Sequence, residues 1–283
     1  MASLAPPAEA LRRRIAGEVV AFFNDREKGQ QPIVSSDQAL IPRGSVAWRV
    51  HGDVTSMMVG GIAALLLQML HPKALAGVWD HSEFQKNMHG RLRNTARFIA
   101  VTTYGHRDEA EAAIARVRRI HDHVNGALPN GTPYDANDPR LLAWVHVAGS
   151  AMFLDGWVRY GEPGMSRTDR DAYWLDVVPV ARMLGADPVP ETAAQADALL
   201  KSFLPELRVD QRTRTVRDLI LNQPAGKLSA VPVQALLMQS AVDLLPPHAR
   251  RLHGLRATGV TRPALSLATF GLASTLRWAL APR

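Results

Sequence analysis

Seven of the ten histidines in this 283-residue chain (His71, His81, His89, His106, His121, His123 and His146) fall in one central block. No cysteine accompanies them. Disulfides, thiolate zinc sites, iron-sulfur clusters and thiolate-ligated haem are therefore excluded, which leaves imidazole, carboxylate and amine as metal ligands. An imidazole can ligate a metal, move a proton or serve as hydrogen-bonded core. In the same block Arg91, Asn94, Thr95 and Phe98 recur at helical spacings of three and four, so one helix face presents a cation, an amide, a hydroxyl and an aromatic ring. That face is too polar for ordinary core and too apolar for open solvent.

His121 shares the inner side of its helix with Ile114, Val117 and Val124, whereas His123 points elsewhere. It has no histidine or carboxylate three or four residues on, so it makes a poor zinc site but suffices to hold the iron of a haem. Haem propionates need cationic partners, which arginines on a mixed face supply. The common catalytic signatures are missing: the chain contains no GxGxxG, Walker loop, GxSxG, HExxH or Glu-x-x-His pair.

These side chains have to be positioned by helices. Three-to-four spacing dominates, no run shows sustained two-residue alternation, and the class is all-α, with about ten helices and no internal repeat. A first helix over Ala8 to Asn24 has a stripe of Leu11, Ile15, Val19 and Phe22, followed by a polar loop around 26–32. Val54 to Leu70 is the most hydrophobic run, but Thr55, Ser56 and Gln68 make it a buried core helix rather than a membrane span. Its Gly60-Gly61 pair costs helix propensity, a loss tolerated where another backbone or a flat ligand comes close.

Pro72 breaks that run, and helical spacing resumes over Lys73 to Trp79. A helix over Arg91 to Tyr104 ends at Gly105, Asp108 caps the next through about Val124, and Leu128 to Pro139 forms an irregular loop. Asp138-Pro139 opens a helix to about Tyr160, and Ser166, with Asp169 three residues on, caps another ending at Gly185. Thr192–Phe203, Val209–Leu221, Val231–Leu245 and Pro263–Leu280 complete the set.

The composition, 47% hydrophobic and 21% charged, is that of a globular chain able to bury a full core. The net charge of +7 is concentrated at one end: from Leu244 to Arg283 there is no acidic residue, while Arg250, Arg251, Arg256, Arg262, Arg277 and Arg283 are present. This is either a solvated helical face or a surface for peripheral membrane contact or an acidic partner, and it carries no nucleic-acid module. Leu265, Leu267, Phe270, Leu272, Leu276 and Leu280 either pack on the core or lie on a membrane. The apolar stretch after Arg12, Arg13 and Arg14 contains Glu18 and lacks a small-residue cleavage site, so the expected location is cytoplasmic.

An ordered set of motifs runs through the chain. His71-Pro72 follows the Gly-Gly helix, then come His81-Ser82-x-Phe84, Arg91-Leu92-x-x-Thr95, Gly105 and His121-x-x-Val124-x-Gly126. Tyr134, Asp138-Pro139-x-Leu141-Leu142-x-Trp144-Val145-His146 and Tyr173 complete it. Over roughly residues 40 to 205 this set closely resembles the MpaB / rubber-oxygenase catalytic-domain family. The resemblance implies one helical domain: an N-terminal helix and loop over 1–39, a catalytic core over 40–205, and C-terminal helices packed on it over 206–283. It also implies haem b and oxidative cleavage of isoprenoid double bonds to carbonyl products.

On this resemblance His121 matches the proximal haem ligand, and Arg91 and Thr95 match the helix facing the haem. His71 and His146 are motif residues that orient His121, bond a propionate or tie helices together. Asn94 stands where latex-clearing proteins offer a lysine to the distal iron position, so an open or water-bound distal site is expected, with Asn94 and Thr95 able to donate to bound oxygen. No glutamate matches the family's proposed catalytic base. The expected activity is that of a haem-dependent oxygenase or peroxidase-like enzyme, using dioxygen or peroxide on a small hydrophobic, prenylated or otherwise unsaturated molecule. Two alternatives stand beside it: a non-catalytic helical lipid or metabolite binder, and a non-haem metal enzyme using His71, His121 and His146.

Overall fold

At Gly60 a neighbouring backbone comes close: a Cβ there would lie 2.6 Å from the Met152 carbonyl oxygen, and one at Gly156 would lie 2.7 Å from that of Ser56. These glycines let helix α3 (Val54–Gln68) cross antiparallel to α7 (Pro139–Tyr160) at backbone distance, in the most extensive helix pair of the fold. Of the Gly-Gly pair it is Gly60 that admits another backbone; a Cβ at Gly61 would meet only the Phe153 ring, at 3.7 Å. Nine of the fifteen residues of α3 are buried, including Leu66 and Leu67, and α7 buries Trp144, Met152 and Tyr160.

The computed structural model describes residues 7–24, 29–224 and 230–281. Among these are thirteen α-helices and one two-stranded hairpin, an all-α architecture. The remaining helices are α1 (Pro7–Phe23), α2 (Val46–His51), α4 (Pro72–His81), α5 (Met88–Tyr104), α6 (Arg107–His121), α8 (Arg167–Leu184), α9 (Ala193–Phe203), α10 (Gln211–Leu221), α11 (Val231–Leu244), α12 (Pro247–His253) and α13 (Arg262–Leu280). The side chain of Phe22, the start of the expected polar loop and Arg283 lie outside the described residues. One continuous hydrophobic core runs from Ile41 to Ala249 and gathers residues from α2, α3, α7, α8, α9, α10 and α11.

The caps follow local chemistry. Asp138 accepts from the backbone N–H groups of Arg140 and Leu141, and Ser166 accepts from Asp169, as their sequence contexts predict. Three boundaries differ from expectation around the histidine block, the first being that α5 starts at Met88 rather than Arg91, because Asn87 caps it by accepting from the Gly90 N–H. His106, not Asp108, caps α6, its ring accepting from the Asp108 N–H, so Asp108 sits in the first turn where it favours the helix dipole. That helix ends at His121 rather than Val124. An antiparallel hairpin, β1 (Asn125–Ala127) with β2 (Pro133–Asp135), begins just ahead of the expected irregular loop and places its second strand within it; both strands are too short for an alternation pattern to register.

At the C-terminus the expected apolar stripe divides. Leu265, Leu272, Leu276 and Leu280 are half-buried, whereas Leu267 and Phe270 face outward. Among the described residues only α7 is long and apolar enough by itself to cross a membrane, and 72% of its apolar window is buried in the fold. The α3 run, followed by a 103° bend into α4, is core.

Candidate functional site

Helix α5 is sparsely buried: between Met88 and Thr102 no residue is buried, and Asn94 and Thr95 are exposed. It packs beside α6, with α2 and α1 on its other flanks. The antiparallel α5–α6 hairpin turns at Gly105, so Arg91 and His121 lie about equally far from the turn, roughly 21 Å by helix rise, at the same end of the pair.

Arg91 is half-buried, and among the described residues its guanidinium has no ion pair and no hydrogen bond. Burial lowers its pKa, which marks a cation held at a cost and without a counter-ion. Thr95 donates its hydroxyl to the Arg91 carbonyl oxygen at 3.1 Å, within its own helix. Asn94 is open to solvent.

His121 closes α6 with its ring half-buried and its Nδ1 atom buried without a partner among the described residues. Burial lowers its pKa, outweighing the opposite pull of Asp122 and Asp135, and keeps the ring neutral, the form that ligates metal. On α7, His146 likewise has a buried, unpartnered Nε2, and its ring meets Trp174 edge-on at 6.2 Å. Burial pushes its pKa down to about 4.

His71 belongs to a different constellation. It lies in the kink between α3 and α4, 4% exposed, with Nε2 3.3 Å from Glu206 Oε2. Arg140 binds the other oxygen of that carboxylate at 2.5 Å and covers the Phe203 ring. His71 thus ties the start of α4 to the chain after α9. His81 is also committed, to the Asn125 carbonyl oxygen and the Tyr134 hydroxyl, which donates to Asp80. Among the described residues no three His, Asp or Glu side chains are arranged to hold a metal ion, so His71, His121 and His146 do not form a shared non-haem centre here.

Sequence reasoning passed over His51, the last residue of α2. Its Nδ1 is 2.9 Å from Thr103 Oγ1 and its Nε2 3.2 Å from the Tyr173 hydroxyl, which donates to the Ser150 carbonyl oxygen. Tyr173 has one proton and gives it to Ser150. Nε2–H must therefore donate to the tyrosine oxygen, and Nδ1 accepts from Thr103. This chain joins α2, α5, α7 and α8, and burial lowers the His51 pKa to about 4. Its partners lie 52 and 122 residues away, so no local spacing marks it.

Two cavities, of about 190 and 210 Å³, lie elsewhere. The first is lined by Asp53, Val54, Leu276 and Arg277, the second by Leu75, Asn130, Asp210 and Arg212. Both fall below the roughly 300–1,000 Å³ of ordinary ligand pockets. Helix α5, with no buried residue along most of its length, is the wall near His121 best able to move aside for a ligand.

A helical domain with a loosely packed, histidine- and arginine-bearing hairpin defines the class to which the comparisons speak. The family model described as "ER-bound oxygenase mpaB/B'/Rubber oxygenase, catalytic domain" matches residues 48–278, and the chain belongs to that family. Its domain type is thus an oxygenase catalytic domain, and the match takes in α10 to α13 as well as the earlier motifs. No curated protein and no solved structure matches the chain.

Proposed function

We propose that the chain is a haem-dependent oxygenase, or a peroxidase-like enzyme, that uses haem b with dioxygen or peroxide on a small hydrophobic unsaturated molecule such as a prenylated one, and that it works in the cytoplasm. The observation that carries this reading is the placement, at one end of the α5–α6 hairpin, of a buried imidazole nitrogen on His121 and a guanidinium on Arg91 that both lack partners among the described residues. These two residues suit the group chemically: His121 would hold the iron and Arg91 a propionate. Bound haem would supply the iron centre that activates the oxidant.

The chain's own residues account for the rest. Burial holds His121 neutral, so its ring has a lone pair to offer without first losing a proton. The ionic partner Arg91 lacks would offset the cost of burying its charge. Asn94 offers an uncharged amide N–H donor rather than a strong ligand, and Thr95 can donate to a ligand only by releasing the Arg91 carbonyl. His146 is the further candidate for contact with the cofactor through its free Nε2. Nε2 of His71 is already engaged by Glu206, so His71 supports the site by fixing the α3–α4 kink.

The test is oxygen uptake by haem-reconstituted protein supplied with small isoprenoid alkenes, with carbonyl products identified by mass spectrometry. Uptake that depends on substrate and is lost in His121→Ala supports the proposal. Haem bound without turnover on any alkene would favour the non-catalytic binder, and activity that follows iron in porphyrin-free protein would favour a non-haem centre.

A further inference from the structure

The outer face of α13 is unlike any ordinary solvated surface of this chain. Between Pro263 and Leu280 the only charged residue is Arg277. It turns inward, its Nε 2.6 Å from Oδ2 of Asp53 and its Nη2 bonded to the Tyr160 carbonyl oxygen. What remains outside is uncharged: Ala264, Leu267, Phe270, Gly271, Thr275 and Trp278 are exposed, with Leu267 at 72%, Trp278 at 46% and Phe270 at 39%. By contrast α6, also a surface helix, exposes Glu109, Glu111, Arg116, Arg118 and Arg119. Single exposed apolar residues are ordinary, but a charge-free helix face carrying three large ones is the pattern of an interaction surface.

The surroundings of this face select its partner. Arg251, Arg256 and Arg262 are exposed just ahead of and at the start of α13, and Arg13 is exposed on α1, which packs alongside it. No acidic residue follows Asp243 in the sequence. Residues 244–283 hold no side-chain carboxylate that could pair with the arginines of a second copy, so the charge around this face complements an anionic surface rather than itself. An anionic bilayer satisfies both features: apolar side chains enter the boundary between headgroups and acyl chains, a tryptophan sits at the interface, and the arginines meet lipid phosphates.

We infer that the α13 face is a peripheral docking surface for a membrane bearing anionic lipids, with Leu267, Phe270 and Trp278 as its apolar anchors and Arg256 and Arg262 as its headgroup contacts. The helix lies on the membrane and does not cross it. The Arg277–Asp53 pair latches it to the start of α3, so the core is held against the lipid surface.

The chain contains no cysteine, so single cysteines can carry a polarity-sensitive dye. Full-length protein labelled through Leu267→Cys, or through Ala115→Cys on the exposed side of α6 as control, is mixed with vesicles of phosphatidylcholine alone or of phosphatidylcholine with phosphatidylglycerol. The inference expects co-sedimentation with the phosphatidylglycerol vesicles, weakened by salt, and a blue shift of the dye at 267 but not at 115. Arg256→Ser with Arg262→Ser should weaken binding about tenfold or more. Leu267→Ser with Phe270→Ser and Trp278→Ser should abolish it, with unchanged helical circular dichroism. Absence of sedimentation, equal binding to both vesicle types, or a blue shift at 267 that appears without lipid as the protein self-associates would each overturn it.

Discussion

Helices α3 and α7 meet with glycine against backbone, bury most of their lengths and place Trp144, Tyr160, Leu66 and Leu67 in one continuous core. Helices α5 and α6 also form an antiparallel pair, yet α5 buries nothing between Met88 and Thr102, and among the described residues neither the Arg91 guanidinium nor the His121 Nδ1 atom has a partner. The two pairs divide the work of the domain. The first supplies stability through close packing, which leaves no room for change. The second leaves α5 with no buried residue between Met88 and Thr102, which lets that wall yield. Buried polar atoms without a partner among the described residues do not separate the pairs, since Thr55, Ser56, His146 and Tyr160 on α3 and α7 carry them as His121 does.

The contrast is broken most severely at Gly60. Gly60→Val would force a branched side chain into the Met152 backbone and should cost about 3 kcal/mol or more, read as a lower urea midpoint. An unchanged midpoint would mean that α3 and α7 are not packed at backbone distance.

Acid comes next. His51 and His146 have folded pKa values near 4, below the usual 6.5, so the unfolded chain binds protons more readily between those values. Stability is therefore full above pH 6.5 and falls as pH drops towards 4, by an amount on the order of 3 kcal/mol for each ring. A melting temperature flat across that window would show that these rings are not buried neutral.

Tyr173→Phe removes the acceptor for the His51 Nε2–H and should cost about 1–2 kcal/mol, measured by denaturant unfolding. Asn94→Ala on α5 should change stability by less than about 0.5 kcal/mol, and Arg91→Ala, which removes a half-buried charge with no partner among the described residues, should not lower it. Arg91→Ala should nonetheless weaken haem binding, a separation of effects that sharpens the comparison.

The helices were legible in the sequence because their signals are local. The Asp138-Pro139 and Ser166 caps, the Gly185 stop and the α3 run are each written within a few adjacent residues. The hairpin after α6 was not, since three-residue strands carry no usable alternation. At the site, Arg91, Asn94, Thr95 and His121 were marked by type and helical spacing. The fates of the other histidines were set by distant partners: Glu206 lies 135 residues from His71, and Tyr173 lies 122 residues from His51. Spacing along one helix can show that a side chain points inward, but only the packing of the others shows whether something already waits there to bond it.

The most direct measurement is the visible spectrum of the purified protein during titration with haem, before and after reduction and addition of carbon monoxide. A Soret band that saturates at one haem per chain (about 1:1), shifts with carbon monoxide, disappears in His121→Ala and persists in His71→Ala is the predicted result. A spectrum indifferent to His121, or no protein-bound haem at all, would contradict the assignment of the α5–α6 hairpin as the oxidative centre.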